Sequence, residues 1–243
     1  MKRTLVIGDI HGGLKALNQV LIAADVTADD TLIFLGDYVD GWSESAQTID
    51  RLIALSETNE CVFIRGNHDV WCGLWLNKGA TNPIWLAHGG EETIESYIQS
   101  GLLTDVRHKQ FFNNLQDYYI DANNNLFLHA GFSSMHGVEK EEYASNFYWD
   151  RTLWEAALLA EEVSKEKLDS NPPQRFTHYK EIYIGHTPTT NYNKQEPMFA
   201  HNVINVDTGS AFKGALTIID IETKEFWQSE KLPELYPNEK GRN

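Results

Sequence analysis

Five apolar segments of this chain each run into Asp, Asn or His close to a Gly, and that recurrence limits what the chain can fold into. In Leu32-Ile33-Phe34-Leu35-Gly36-Asp37-Tyr38-Val39-Asp40-Gly41 the aliphatic and aromatic run reads as a buried strand that stops at Gly36. Asp37 stands where the strand ends, and Asp40 follows on the same turn. Taken alone, this block is an ordinary polar turn. Thr4-Leu5-Val6-Ile7-Gly8-Asp9-Ile10-His11-Gly12 and Cys61-Val62-Phe63-Ile64-Arg65-Gly66-Asn67-His68-Asp69 repeat the pattern. Leu126-Phe127-Leu128-His129-Ala130-Gly131 and Ile182-Tyr183-Ile184-Gly185-His186-Thr187 extend it with histidine. In an open α/β sheet the carboxyl edge of the strands is where ligands are held. Strands that deliver Asp, Asn and His to that edge predict a metal site.

The segments between them supply an α/β framework. Leu14, Leu17, Val20, Leu21 and Ala24 share one helical face after the first strand. Ile49, Leu52, Ile53 and Leu55 mark a second amphipathic helix that starts near Ser43 or Ser45, and the third strand covers residues 61–65. This βαβαβ opening implies parallel strands with right-handed crossovers. From about 70 to 125 the periodicity is mainly helical, with no strand of comparable strength, which predicts a helical insertion beside the site. A second helical stretch is expected over about 139–170, broken by Asn171-Pro172-Pro173. Residues 202–207, 215–219 and 225–228 read as three short strands of one meander, and the residues after Leu232 as a polar, loosely ordered end. With 243 residues and 42% apolar content, one domain over 1–243 is the expectation.

A formal net charge of -15 repels nucleic-acid backbones and anionic membranes, so neither a duplex nor a membrane is an expected partner. Phosphate can still be held locally by metal ions and a few arginines. Cys61 and Cys72 make no disulfide framework, and no apolar run approaches the ~20 residues of a membrane span, so a cytoplasmic location is expected. The oligomeric state is not legible.

Hard divalent ions take carboxylate oxygens, with imidazole and amide ligands setting geometry. Asp9 and His11 can reach one ion, Asp37 can offer an oxygen to each of two, and Asn67, His129 and His186 can complete the second. Two ions ~3.5–4 Å apart clamp a phosphoryl group and acidify water for in-line attack. His68, oriented by Asp40, would then protonate the leaving oxygen, a contribution of ~10²–10⁴ in rate.

Taken together, Gly8-Asp9-Ile10-His11-Gly12, Gly36-Asp37-Tyr38-Val39-Asp40, Arg65-Gly66-Asn67-His68-Asp69, His129-Ala130-Gly131 and Gly185-His186-Thr187 resemble the calcineurin-like metallophosphoesterases. The closer resemblance is to the phosphoprotein-phosphatase arm, which includes small bacterial and phage serine/threonine phosphatases and the symmetrical diadenosine tetraphosphate hydrolases. It implies a central β-sandwich of mixed sheets flanked by helices, and two divalent ions, Mn²⁺ or a Mn²⁺/Fe pair. Asp9, His11 and Asp37 would hold the first ion; Asp37, Asn67, His129 and His186 the second. The Phe147-Tyr148-Trp149-Asp150-Arg151 stretch resembles the family's Trp-x-Arg segment, which assigns Arg151 to the substrate phosphate alongside Asn67 and His68.

The chain departs from the family at three points. Gly41-Trp42 stands where an Arg-Gly usually follows Asp40, which removes one phosphate-gripping guanidinium; another cation must replace it, or substrate affinity falls. Asp69 replaces a common Glu, and Thr187-Pro188 follows His186 without the second histidine of the phosphodiesterase arms. His88, His108, His136, His178 and His201 are expected on the surface or satisfied in the core, and Trp71, Trp75 and Trp85 in the core. Arg65 reads equally as a structural ion-pair partner or a phosphate ligand. Cys61 and Cys72 read as inert, the Glu139 to Glu142 run as a solvated helix end, and Lys213 is not assigned to an anion. The expected function is a metal-dependent phosphatase acting on phosphorylated protein or small phosphoesters, foremost a serine/threonine protein phosphatase. The alternative is a symmetrical dinucleoside tetraphosphate hydrolase, and a catalytically silent metal-binding signalling module ranks last.

Overall fold

The computed structural model describes residues 2–165 and 172–242. The chain opens with β1 (Thr4–Ile7), α1 (Leu14–Ala23), β2 (Thr31–Phe34), α2 (Ser45–Ser56) and β3 (Glu60–Phe63), with the three strands parallel and in register Thr4↔Thr31↔Glu60. Four helices follow: α3 (Asn67–Lys78), α4 (Pro83–Trp85), α5 (Glu91–Ser100) and α6 (Val106–Asn113). The antiparallel pair β4 (Tyr118–Ile120) and β5 (Leu126–Leu128) turns at Asn124, which takes a left-handed φ of 63°. Then come α7 (Asn146–Trp149), α8 (Thr152–Lys165), β6 (Ile182–Ile184), β7 (Met198–Ala200), β8 (Val203–Asn205), β9 (Thr217–Asp220), β10 (Phe226–Gln228) and α9 (Leu232–Leu235).

Two mixed five-stranded sheets result, in the orders β10-β9-β1-β2-β3 and β4-β5-β6-β8-β7. The period-2 alternation of the strands decides how they stack. Leu5, Ile7, Leu32 and Phe34 point toward α1 and α2, whereas Val6, Ile33, Leu35, Val62 and Ile64 point the other way. There they meet Phe127, Tyr183, Ile204 and Val206 of the second sheet, where the paired Phe127 and Tyr183 rings stack at 5.0 Å. Leu126, Leu128, Ile182 and Ile184 turn outward against Leu153, Trp154 and Ala157 of α8. Each such side chain contributes about 1.5–3 kcal/mol on burial, so a one-residue slip would expose a whole face. Because β1, β2 and β3 are parallel, and β5, β6 and β8 are parallel, the sandwich brings six strand exits to one edge.

Several boundaries differ from the sequence expectation. The helical insertion begins at Asn67, inside the third strand-exit motif, and ends in the short strand β4, which periodicity alone assigned to a helix. Of the stretch expected as helix over 139–170, residues 139–151 are mostly irregular, with a 3₁₀ turn at Val138–Lys140 and the short α7. Glu141 is no solvated helix end, for it accepts the backbone N–H groups of Ser133 at 2.6 Å and Ser134 at 3.1 Å. Residues 166–171, and Asn171 of the expected break with them, lie outside the described residues. The expected meander is divided: β8 is parallel to β6 in the second sheet, while β9 and β10 are antiparallel additions to the first. The residues after Leu232 pack rather than fray, with Tyr236 buried and stacked on Trp42 at 5.2 Å. Among the described residues no helix is long and apolar enough to cross a membrane.

Candidate metal centre

Asp9, His11, Asp37, Asn67, His129 and His186 are all buried at this common edge. The backbone there is strained in a consistent way. His11, Asp37, Asp40 and His186 take φ of 54°, 53°, 73° and 65°, a left-handed conformation that costs a non-glycine residue about 1–2 kcal/mol. It turns each side chain back over the strand end. Two glycines make room for the carboxylates. A Cβ on Gly66 would lie 2.1 Å from Asp37 Oδ1, and one on Gly185 2.1 Å from Asp9 Oδ1.

Asp37 is the hub. Its Oδ2 lies 3.5 Å from His11 Nε2 and 3.4 Å from His129 Nε2, and its Oδ1 accepts the His68 backbone N–H at 3.0 Å. Asn67 Oδ1 is 3.3 Å from His129 Nε2. The carboxylate of Asp9 accepts the backbone N–H of His186 at 3.1 Å and lies 3.9 Å from His11 Nε2. Two groups of ligand atoms converge: His11, Asp37 and His68, and Asp37, His129 and His186, with Asp37 common to both. His68 therefore stands within reach of the position assigned to the first ion, where the sequence reading placed Asp9.

The donor set fits divalent cations on two further observations. His186 Nε2 is buried with no hydrogen-bond partner, an orphan lone pair aimed into the cluster. His129 is held by the backbone carbonyl of Leu35 at 2.8 Å through Nδ1, which leaves Nε2 for the site. Burial works against charge on His129, yet Asp37 and Asp9 outweigh it and carry its pKa to about 10. Burial likewise opposes ionisation of Asp37, but His129, His68 and His11 hold its pKa well below the usual carboxylate range. Burial pushes His11 and His186 well below the usual imidazole range, which keeps their ring nitrogens unprotonated and available to a cation.

Asp40 is wholly buried and accepts three hydrogen bonds: from His68 Nδ1 at 2.6 Å, Trp85 Nε1 at 2.7 Å and Thr93 Oγ1 at 2.6 Å. Burial pushes Asp40 up to about 8 and His68 down to about 3, so the pair carries one shared proton and no net charge near neutral pH. Nδ1 of His68 is engaged, and Nε2 is left to the site.

A cavity of about 280 Å³ lies over the cluster, walled by Trp71 and Trp149, with Arg151 and His88 at its margin. Trp71 and Trp149 meet edge-on at 5.3 Å, and Trp149 is 44% exposed. The exposed guanidinium of Arg151 donates to Thr187 Oγ1 at 3.4 Å. Of the residues read as core or surface, Trp75 and Trp85 are in the core, His108 is buried against Tyr97, and His136 and His201 are exposed. Arg65 is structural, paired with Asp117 and the Leu115 carbonyl. Burial pushes the Cys61 thiol up to about 12, and Cys72 is fully buried with its thiol raised further.

Four contributors escaped the sequence reading. Asp207, at the β8 exit, lines the same cavity, with burial lifting its pKa to about 6. Its setting in Asn205-Val206-Asp207-Thr208-Gly209 repeats the strand–Asp–Gly signal and was legible. Asp69 accepts the backbone N–H groups of Gly66, Asp37 and Tyr38 at 2.8, 2.7 and 2.9 Å and so pins two ligand loops together. Trp85 and Thr93 reach Asp40 from α4 and α5, across about fifty residues of sequence, and no local signal marks them.

A model of the calcineurin-like phosphoesterase family matches residues 2–207. The chain belongs to that family, and is a metal-dependent phosphoric ester hydrolase whose clustered Asp and His groups are able to bind metal ions. It is 28% identical over 234 residues to the bis(5'-nucleosyl)-tetraphosphatase PrpE [asymmetrical] of Anoxybacillus flavithermus, covering 88% of each chain. A protein of the same name from Geobacillus sp. is 25% identical over 240 residues, covering 90% of this chain and 91% of its own. A protein serine/threonine phosphatase from Saccharomyces cerevisiae shares the fold, with a TM-score of 0.59 at 14% identity over 94% of this chain and 80% of its own.

Proposed function

We propose that this chain hydrolyses dinucleoside tetraphosphates at the metal centre. The observation that carries this reading is the pair of partly exposed indoles, Trp71 and Trp149, forming a wall of the cavity over the ligand cluster. A nucleobase stacked on such a surface gains about 1–3 kcal/mol, whereas a phosphoserine side chain gains nothing from it. The names of the relatives aligned along most of the chain support the same substrate class.

Asp9, His11, Asp37, Asn67, His129 and His186 would hold two divalent ions, with manganese or a manganese/iron pair proposed. When bound, the ions supply Lewis acidity at a phosphoryl oxygen and acidify water. Arg151 takes a non-bridging oxygen and fixes the phosphoryl group for in-line attack. As the water oxygen bonds to phosphorus and releases a proton to solvent, the bond to the leaving oxygen breaks; His68, held by Asp40 through Nδ1, is placed to protonate that oxygen, which an alkoxide needs and a polyphosphate does not.

A phosphoserine or phosphothreonine peptide is the second reading, favoured by the volume over the cluster, since about 280 Å³ accepts one phosphorylated side chain. Competitive turnover by manganese-loaded protein, offered a phosphoserine peptide and diadenosine tetraphosphate together, tests both. A higher kcat/KM for diadenosine tetraphosphate is expected. Cleavage to ATP and AMP would follow the relatives' pattern, and cleavage to two ADP the symmetrical alternative. Faster peptide dephosphorylation overturns the nucleotide reading, and turnover of neither overturns both substrate readings while leaving the metal site standing.

A further inference from the structure

The cavity over the metal centre does not end at the metal centre. A second cavity of about 620 Å³ adjoins it and shares Asn191, Phe212 and Arg242 as lining. Lys213, Lys231 and Lys240 line this second space. All three lysines are exposed, and among the described residues none has a carboxylate within 4.0 Å. Together with Arg242 they place four cations on the lining of one cavity, in a chain of net charge -15.

Arg242 is held at the junction by a specific arrangement. Its backbone N–H donates to the Ala211 carbonyl at 2.8 Å, and its guanidinium lies 5.3 Å from the centre of the Phe212 ring. Gly241, at φ 63°, sits against the Trp42 indole so closely that a Cβ would come within 2.7 Å of it. Trp42 is itself fixed by its Nε1 donating to the Ser210 carbonyl at 2.8 Å. A Cβ on Gly41 would lie 3.1 Å from Arg242 Cγ, so the space a side chain at 41 would enter is taken by Arg242. Nε of Arg242 is buried with no hydrogen-bond partner. Arg242 as a residue lines both cavities, where its guanidinium can meet an oxyanion in a charge-assisted contact.

We propose that Arg242, Lys213, Lys231 and Lys240 form a second anion subsite, contiguous with the metal centre, which holds the phosphate chain beyond the phosphoryl group under attack. This rests on the nucleotide reading for its physiological ligand. Arg242 grips the phosphate next to the scissile one, and the lysines neutralise the remainder of the chain. It thereby supplies the guanidinium that is absent after Asp40, from the far end of the sequence.

Calorimetric titration of inorganic tripolyphosphate and of orthophosphate into metal-free protein tests the subsite without any turnover. Tripolyphosphate is expected to bind more tightly than orthophosphate, and Arg242→Ala to weaken it by about tenfold or more, the loss of one charge-assisted bidentate contact. The double variant Lys213→Ala/Lys231→Ala alters exposed side chains only and is expected to weaken tripolyphosphate to a similar degree, with Lys180→Ala as the exposed control. In manganese-loaded protein the same variants should raise KM for diadenosine tetraphosphate more than they lower kcat. Unchanged tripolyphosphate affinity in both variants overturns the subsite, even if diadenosine tetraphosphate is hydrolysed. Tight, variant-sensitive tripolyphosphate binding without dinucleotide turnover sustains the subsite and overturns the nucleotide reading instead. Loss of affinity in the variants for an acidic phosphopeptide, but not for tripolyphosphate, overturns the phosphate-chain assignment.

Discussion

Replacing Trp85 with Phe tests whether the helical insertion takes part in the chemistry or only covers the core. The indole is fully buried, and its Nε1 donates to Asp40 Oδ2 at 2.7 Å, on the oxygen that also meets His68 Nδ1. Phenylalanine keeps the ring packing and deletes that one donor. A hydrogen bond to a charged group is worth about 1.5–3 kcal/mol, and Thr93 still donates to the other oxygen, so the lower end applies: about tenfold in kcat/KM with a phosphoserine peptide. The pH dependence gives a second sign. Hydrogen bonds from Trp85 and Thr93 lower the pKa of Asp40, which burial has raised to about 8; losing one raises it further. The pair then keeps its shared proton to higher pH. The variant should therefore show a lower plateau with its alkaline limb displaced upward, measured as kcat/KM against pH. Trp75→Phe, which thins the same aromatic cluster without touching Asp40, should lower Tm and leave the limb in place. A Trp85→Phe enzyme within about twofold of the parent, with an unmoved limb, would refute a part for the helical insertion in the chemistry through Asp40.

The remaining predictions separate chemistry from architecture. His68→Ala should lose about 10²–10⁴ in kcat on a phosphoserine peptide, whose alkoxide leaving group needs a proton, and distinctly less on diadenosine tetraphosphate, whose phosphate leaving group does not. Metal content by mass spectrometry accompanies the rates, and an equal loss on both substrates would remove His68 from the acid role. Away from the site, Arg3 chelates Asp30 at 3.0 and 2.7 Å and holds its carboxyl at about 2. A depressed carboxyl stabilises the fold above its unfolded pKa and loses that contribution as pH falls toward 2. Asp30→Asn should thus cost about 1–2 kcal/mol in denaturant melts at neutral pH, and the gap from the parent should close in acid.

Local sequence carried the strand exits because they are short and repetitive: an apolar run, a glycine and a ligand-type side chain are contiguous in the chain. It therefore marked Asp9, His11, Asp37, Asn67, His68, His129 and His186, all of which the fold brings to one edge. The tail strands were visible as strands, but their partners were not, since β8 and β9 have similar composition and join different sheets. Short elements such as β4 and β7 lie below the length at which periodicity can be read. The Arg151 assignment came from resemblance, and the structure places its guanidinium at the cavity margin.

By itself the sequence determined which chemical groups end the strands, and hence that a cation-binding edge exists, because alternation and turn chemistry act over a few residues. Only the tertiary structure decided which remote groups tune that edge. Trp85 and Thr93 reach Asp40 from the helical insertion, and Arg242 reaches the cavity from beyond the last helix. Such contacts depend on long-range packing, on Gly241 fitting the face of Trp42 and on an indole meeting a buried carboxylate, and no local pattern encodes a distance between residues so far apart in the chain.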